Sequence, residues 1–478
     1  MQTTLNWITG HRRGAALALA LAVTIAAGVA SRALATRSGA GPAAKTLFAA
    51  QGPVRFSAEL EGTKLLRGGD GVARLELTIT GGADERAVAP KRVPTDALVI
   101  LDRSGSMEGE KIEHARAAVR ELLRQLGSDD RFALVSYASE ARIEVPLISV
   151  NKALESVVDG ITANGGTNLS SGLDLGTEVL ATRAKFGRAS RVIVISDGLA
   201  NEGDSSREGL VGRVRRASQR EWVVTAIGVG SDFDEQLMGA LADAGTGNFY
   251  YLDQSRDLAS VFAREFDAAR GTVASGLQVR IAPAPGVRVL DAAGYPLEAR
   301  EGASWFTPGA LFAGQERRIW VTLQVPESAA AQSLGTFALH YDREGKHESL
   351  ELPDSFRIAW ADRPADVANA LSPAAWERSV ARESFGELEN KVAELVKNGQ
   401  RDEAKRLVDE FRQDVGTING IVNSAPVARK LEEASALGAE IDDAFTGAGQ
   451  ADKQNRLSKS KLQSGKDARR AGAKAVKP

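Results

Sequence analysis

The 478-residue chain has no cysteine. Disulfides, thiolate metal sites, thiol nucleophiles and a lipid-modified cysteine are therefore excluded. Histidine is scarce as well, with four in the whole chain, so any metal must be held by oxygen or by these few imidazoles. Net charge is close to absent at -2, which gives no global reason to expect nucleic acid as a partner. No G-x-S-x-G nucleophile elbow occurs, and Gly105, Gly109 and Lys111 do not meet the spacing of a G-x-x-x-x-G-K-[ST] phosphate loop. Long hydrophobic runs are lacking too: the apolar stretch at 15–30 falls just short of the ~18 to 20 residues that span a bilayer comfortably.

That stretch still reads as a targeting segment. His11, Arg12 and Arg13 precede it, and Ala33 and Ala35 form a small-x-small cleavage site. Residues 1–35 are expected to be an export signal, cleaved or kept as a membrane anchor, which puts the folded part outside the cytoplasm: periplasmic, secreted or anchored. A Gly/Ala-rich linker follows at 36–52.

Hydrophobic patterning divides the rest. In "VARLELTIT", Leu75, Leu77 and Ile79 alternate with Arg74, Glu76 and Thr78, the period of a half-buried strand. From 97 to 266 the strands "ALVILD", "FALVSYA", "RVIVISDG" and "VVTAIGVG" are continuously apolar and separated by amphipathic segments. Such strands are buried on both faces by crossover helices, so an α/β domain with a doubly wound, mostly parallel sheet is expected. Alternation returns at 272–360. Two N-terminal strands alone would be marginal, which predicts that 53–96 and 272–360 form one β-sandwich with the α/β domain inserted. Helical periodicity marks 373–446, including Trp376 and Phe411 as core positions, and the basic tail 452–478 reads as disordered.

The chemistry concentrates in "VILDRSGSMEG", where a buried strand runs into polar residues. A serine nucleophile there lacks a base, because His11, His114, His340 and His347 lie elsewhere. A hard-cation site fits better: Asp102, Ser104 and Ser106 alternate along a turn, and oxygen ligands of this kind suit Mg2+. One loop cannot complete the shell. Thr167, after two glycines, and Asp197, at the end of another buried strand, lie on loops that converge at the carboxyl edge of a doubly wound sheet. A turn or helix cap would also use Asp and Ser, but accounts for neither Thr167 nor Asp197. Asp204, Asp232 and Asp234 read as solvated loop carboxylates rather than further ligands.

With these five positions in order, 97–266 resembles the von Willebrand factor A domain and its metal-ion-dependent adhesion site. The resemblance implies that Ser104, Ser106 and Thr167 coordinate the ion directly and that Asp102 and Asp197 often act through water. The ion would be Mg2+, with Mn2+ or Ca2+ as alternatives. It further implies a protein partner whose Asp or Glu completes the shell, and no enzymatic activity. The layout is more loosely similar to the inter-alpha-trypsin inhibitor heavy chains. An exported adhesion or scaffolding protein is the expectation; the alternative is a non-catalytic accessory subunit that recruits or regulates an envelope enzyme or transport complex.

Overall fold

Strand β5 (Thr95–Asp102) is buried at all eight positions, with the apolar run Ala97–Leu101 between the polar residues Thr95, Asp96 and Asp102. Its odd residues Ala97, Val99 and Leu101 enter one core, and Leu98 and Ile100 enter another on the opposite face. The computed structural model describes residues 46–82, 94–183, 188–197, 200–229, 233–252, 272–353 and 355–470. The targeting segment expected at 1–35 lies outside them.

The N-terminal strands are β1 (Thr46–Gln51), β2 (Val54–Leu60), β3 (Lys64–Leu66) and β4 (Val72–Gly81). After β5 come α1 (Glu110–Gln125), β6 (Arg131–Tyr137), β7 (Ala141–Ser149), α2 (Ala153–Asp159), α3 (Leu169–Arg183), β8 (Ala189–Ser196), α4 (Arg207–Ser218), β9 (Val223–Val229), α5 (Glu235–Ala244) and β10 (Thr246–Leu252). Six of these strands form one sheet in the order β10-β9-β8-β5-β6-β7. All its pairings are parallel except β6 with β7. Helices cover both faces: α1 packs with one core, and α3, α4 and α5 with the other. The chain leaves β5 toward β6 and later returns to its other side as β8. The crevice beyond the carboxyl ends of β5 and β8 is therefore the switch point of the fold.

Strand β4 pairs antiparallel with Glu316–Gln324 from Thr80 opposite Glu316 to Val72 opposite Gln324. A second sheet, which includes Thr272–Pro283, Gly335–Arg343 and Lys346–Glu351, faces it. One hydrophobic core joins Leu47 to Ile79 with Ala274 to Ile358. The α/β domain thus interrupts a β-sandwich. Thr95 already belongs to the parallel sheet, two residues earlier than the sequence pattern suggested.

The half-buried period expected of β4 holds at Arg74, Thr78 and Thr80, which stay partly exposed, and departs only at Glu76, which is 2% exposed and paired with Arg378 at 2.6 Å. One expectation needs correction, that of a disordered basic tail. Residues Gln450–Arg470 form a helix that packs along Phe385–Lys397 and against α5 and β10. Three of its cations meet acids more than 70 residues away in the chain. Lys459 bonds Glu235 at 3.0 Å, Lys466 pairs with Asp243, and Arg469 pairs with Glu383 and Asp291. Residues 471–478 lie outside the described part.

Candidate metal centre

Asp102 ends β5 and Asp197 follows the last residue of β8, so the two carboxylates flank the switch-point crevice. Both are 0% exposed. Asp102 Oδ1 accepts the backbone N–H of Ser104 at 2.8 Å, and Oδ2 accepts Ser196 Oγ at 2.8 Å and Tyr137 OH at 3.3 Å. With both oxygens already engaged, this carboxylate is built to orient the loop and neighbouring hydroxyls. Burial raises its pKa above the usual 3.8; the Ser104 and Ser196 hydrogen bonds oppose the rise, and nearby Asp197 adds to it.

The hydroxyls line up beside this carboxylate. Ser104 Oγ lies 3.0 Å from Ser106 Oγ, and Ser106 Oγ donates to Asp197 Oδ1 at 2.8 Å. The other oxygen of Asp197 accepts from Lys111 Nζ at 2.5 Å. A continuous chain of contacts therefore runs from Asp102 through Ser104 and Ser106 to Asp197.

Thr167 is brought to the same edge by its backbone. Gly105 N donates to Gly165 O at 2.9 Å, and Asn164 N to Arg103 O at 2.8 Å, lacing the loop before α3 to the loop after β5. From the other side, Asn201 N donates to Thr167 O at 3.0 Å, and Thr167 N to Asn201 Oδ1 at 2.9 Å. Thr167 is 4% exposed. A Cβ on Gly166 would lie 2.1 Å from Glu202 Oε1, a contact that the exposed Glu202 side chain relieves by turning away. Arg103 is buried but turned aside, with Nε on Ser136 Oγ at 3.2 Å and Nη1 on Asn164 Oδ1 at 2.5 Å.

The donor set is two buried carboxylates among hydroxyls, a mixture suited to a hard divalent cation. Among the described residues no cluster of three or more His, Cys, Asp or Glu could hold an ion, so any metal here would depend on the hydroxyls. Sequence reasoning weighed Lys111 only against a phosphate loop and did not place Lys111, Tyr137, Ser196, Asn201 or Glu202 at the metal site. Ser196 adjoins Asp197, and Lys111 lies five residues past Ser106, but nothing local says which way either points. Asp204 and Asp234 have other duties. Asp204 receives Ser206 and Arg213, which hold its carboxyl down at about 2, and Asp234 caps α5 through the N–H groups of Gln236 and Leu237. Asp232 is outside the described residues.

Residues 96–264 match the sequence pattern of the von Willebrand factor type A domain. This part of the chain is a von Willebrand factor type A domain. Such domains generally mediate protein–protein interaction or adhesion, are generally non-catalytic, and commonly bind a divalent metal. The chain is 29% identical over 196 residues to YfbK of Escherichia coli, a match covering 40% of this chain and 34% of that protein. Inter-alpha-trypsin inhibitor heavy chain H4 of Bos taurus is 29% identical over 179 residues, covering 35% of this chain and 19% of the relative. The chain thus spans less than half the length of these curated relatives. Two solved structures share the fold over most of the chain. A von Willebrand factor type A protein from Catenulispora acidiphila superposes with a TM-score of 0.60 at 17% identity, covering 90% of this chain and 98% of that one. The ArnB paralog VWA2 from Sulfolobus acidocaldarius gives 0.53 at 17% identity, covering 89% and 100%.

Proposed function

We propose that this chain binds a protein partner through a divalent ion, Mg2+ in the first instance, held at the A-domain switch point. Ser104, Ser106 and Thr167 would supply hydroxyl oxygens to it, with Asp102 and Asp197 acting behind them. The observation that carries the reading is the bonded series Asp102, Ser104, Ser106, Asp197, with Thr167 tied to the same edge. Once bound, the ion supplies a partly unsatisfied positive charge that an Asp or Glu of the partner can neutralise. The chain's own residues set the geometry: Tyr137 and Ser196 hold Asp102, and Asn201 holds Thr167.

This makes the protein an adhesion or scaffolding module. The targeting pattern before residue 36 supports an extracytoplasmic place for it, secreted or anchored. No helix among the described residues is long and apolar enough to cross a membrane.

Two measurements test the reading together. Calorimetric titration of the full chain with Mg2+ is expected to show binding that Ser106→Ala weakens at least tenfold. Recovery of envelope proteins on the immobilised chain is expected with Mg2+ and not with chelator or with Asp102→Ala. Equal recovery in all three conditions rules out a metal-bridged partner.

A further inference from the structure

Lys111 lies in the first turn of α1 with its side chain 27% exposed and its Nζ 2.5 Å from the fully buried Asp197. A cation in that position faces the positive end of a helix, where anions are favoured. Glu110 and Glu113 already supply the acidic charge expected there. Lys111 is therefore poorly explained as a helix-stabilising residue and well explained by the carboxylate it meets. Its placement is also asymmetric: Asp197 receives an ammonium, whereas among the described residues Asp102 receives the neutral donors Ser104, Ser196 and Tyr137.

We propose that Lys111 is a fixed second cation of the metal site, restraining the ion's affinity and leaving the loaded site with a surplus positive charge for a partner carboxylate. The proposal rests on the metal reading above. Two carboxylates and one divalent ion balance to zero, and a neutral site would have little hold on an acidic side chain. Lys111 raises the loaded site to one net positive charge. Glu202, at the rim, is exposed and so largely solvated, and offsets this less than its formal charge suggests. Before the ion arrives, the same ammonium compensates Asp197, a buried anion that among the described residues otherwise accepts from Ser106. Affinity for the ion is given up in exchange for attraction to the partner.

The test uses the full chain as wild type, Lys111→Met, Lys111→Gln and Lys111→Arg. Mg2+ binding is followed by calorimetry, and thermal unfolding is measured in chelator and in excess Mg2+. The Met and Gln variants are expected to bind Mg2+ on the order of tenfold more tightly, from loss of a unit charge beside the ion, while Arg stays near wild type. In chelator the Met variant should unfold at a lower temperature than wild type, and Mg2+ should close that gap. Gln retains a donor for Asp197 without the charge, so it decides the matter if Met does not fold. Equal Mg2+ affinity in wild type and the neutral variants overturns the role of Lys111 and leaves the metal site standing. No Mg2+ uptake and no Mg2+-dependent rise in unfolding temperature in any variant overturns both.

Discussion

Asp102 and Asp197 show how burial and hydrogen bonding compete at a single residue. Asp102 is sealed from solvent and its carboxyl sits above the ordinary 3.8, because removal from water outweighs the bonds from Ser104 and Ser196. The sign for stability follows. Between the unfolded value and the higher folded one, the native state binds the proton more tightly, so stability falls as pH rises through that window. In chelator, Asp102→Asn should therefore match or exceed wild type in urea stability near pH ~7, and the difference should shrink towards pH ~3. A wild type clearly more stable than the Asn variant at neutral pH without metal would contradict this account. With Mg2+ present the order is expected to reverse, since the carboxylate is then compensated.

At the level of elements, the helix Gln450–Arg470 is the main surprise. Read along the chain it is a polar segment with seven Lys and Arg between 450 and 470. In the fold, Lys459 is 3% exposed, bonded to Phe233 O at 2.8 Å and stacked over the Phe233 ring at 4.2 Å. Glu235, its acidic partner, is held below the usual carboxylate range: burial pushes it up, but backbone and lysine hydrogen bonds from Lys397 and Lys459 prevail. Lys459→Met should cost about 2 to 4 kcal/mol in urea unfolding, part of the loss being spared by Lys397 at 3.0 Å. Close approach of this helix to Phe385–Lys397 depends on glycine, since a Cβ on Gly465 would lie 2.5 Å from Gly386 O. Gly465→Val is expected to lose roughly 1 to 3 kcal/mol by overpacking, with the deficit seen as a lower denaturant midpoint and unchanged A-domain secondary structure.

At the level of the whole molecule, the sandwich is closed only when both halves of its sequence are present. Strand Glu316–Gln324 is paired along its length with β4, and Leu75, Leu77 and Ile79 fill a core whose other wall comes from residues beyond 270. A fragment covering 272–361 should therefore be insoluble or molten alone and recover structure when supplied with 46–82. A fragment of about 95–266 should fold by itself, its two cores being internal to the parallel sheet and its helices. Near-UV circular dichroism and size exclusion distinguish these outcomes, and a monomeric, cooperative 272–361 fragment would refute the dependence.

The sequence by itself determined the α/β class of the central part, because continuous apolar strands between amphipathic helices have few other ways to be buried. It also pointed to Asp102, Ser104, Ser106, Thr167 and Asp197, because strand ends in a doubly wound sheet converge and these residue types share a hard-oxygen chemistry. What only tertiary structure decided is which charges meet. Lys111 with Asp197, Arg378 with Glu76 and Lys459 with Glu235 are separated by 86 to more than 300 residues. A lysine in a polar run looks the same whether it faces water or a buried carboxylate. The difference lies in the desolvated acid waiting on another element, and that is a property of the packing, not of the local sequence.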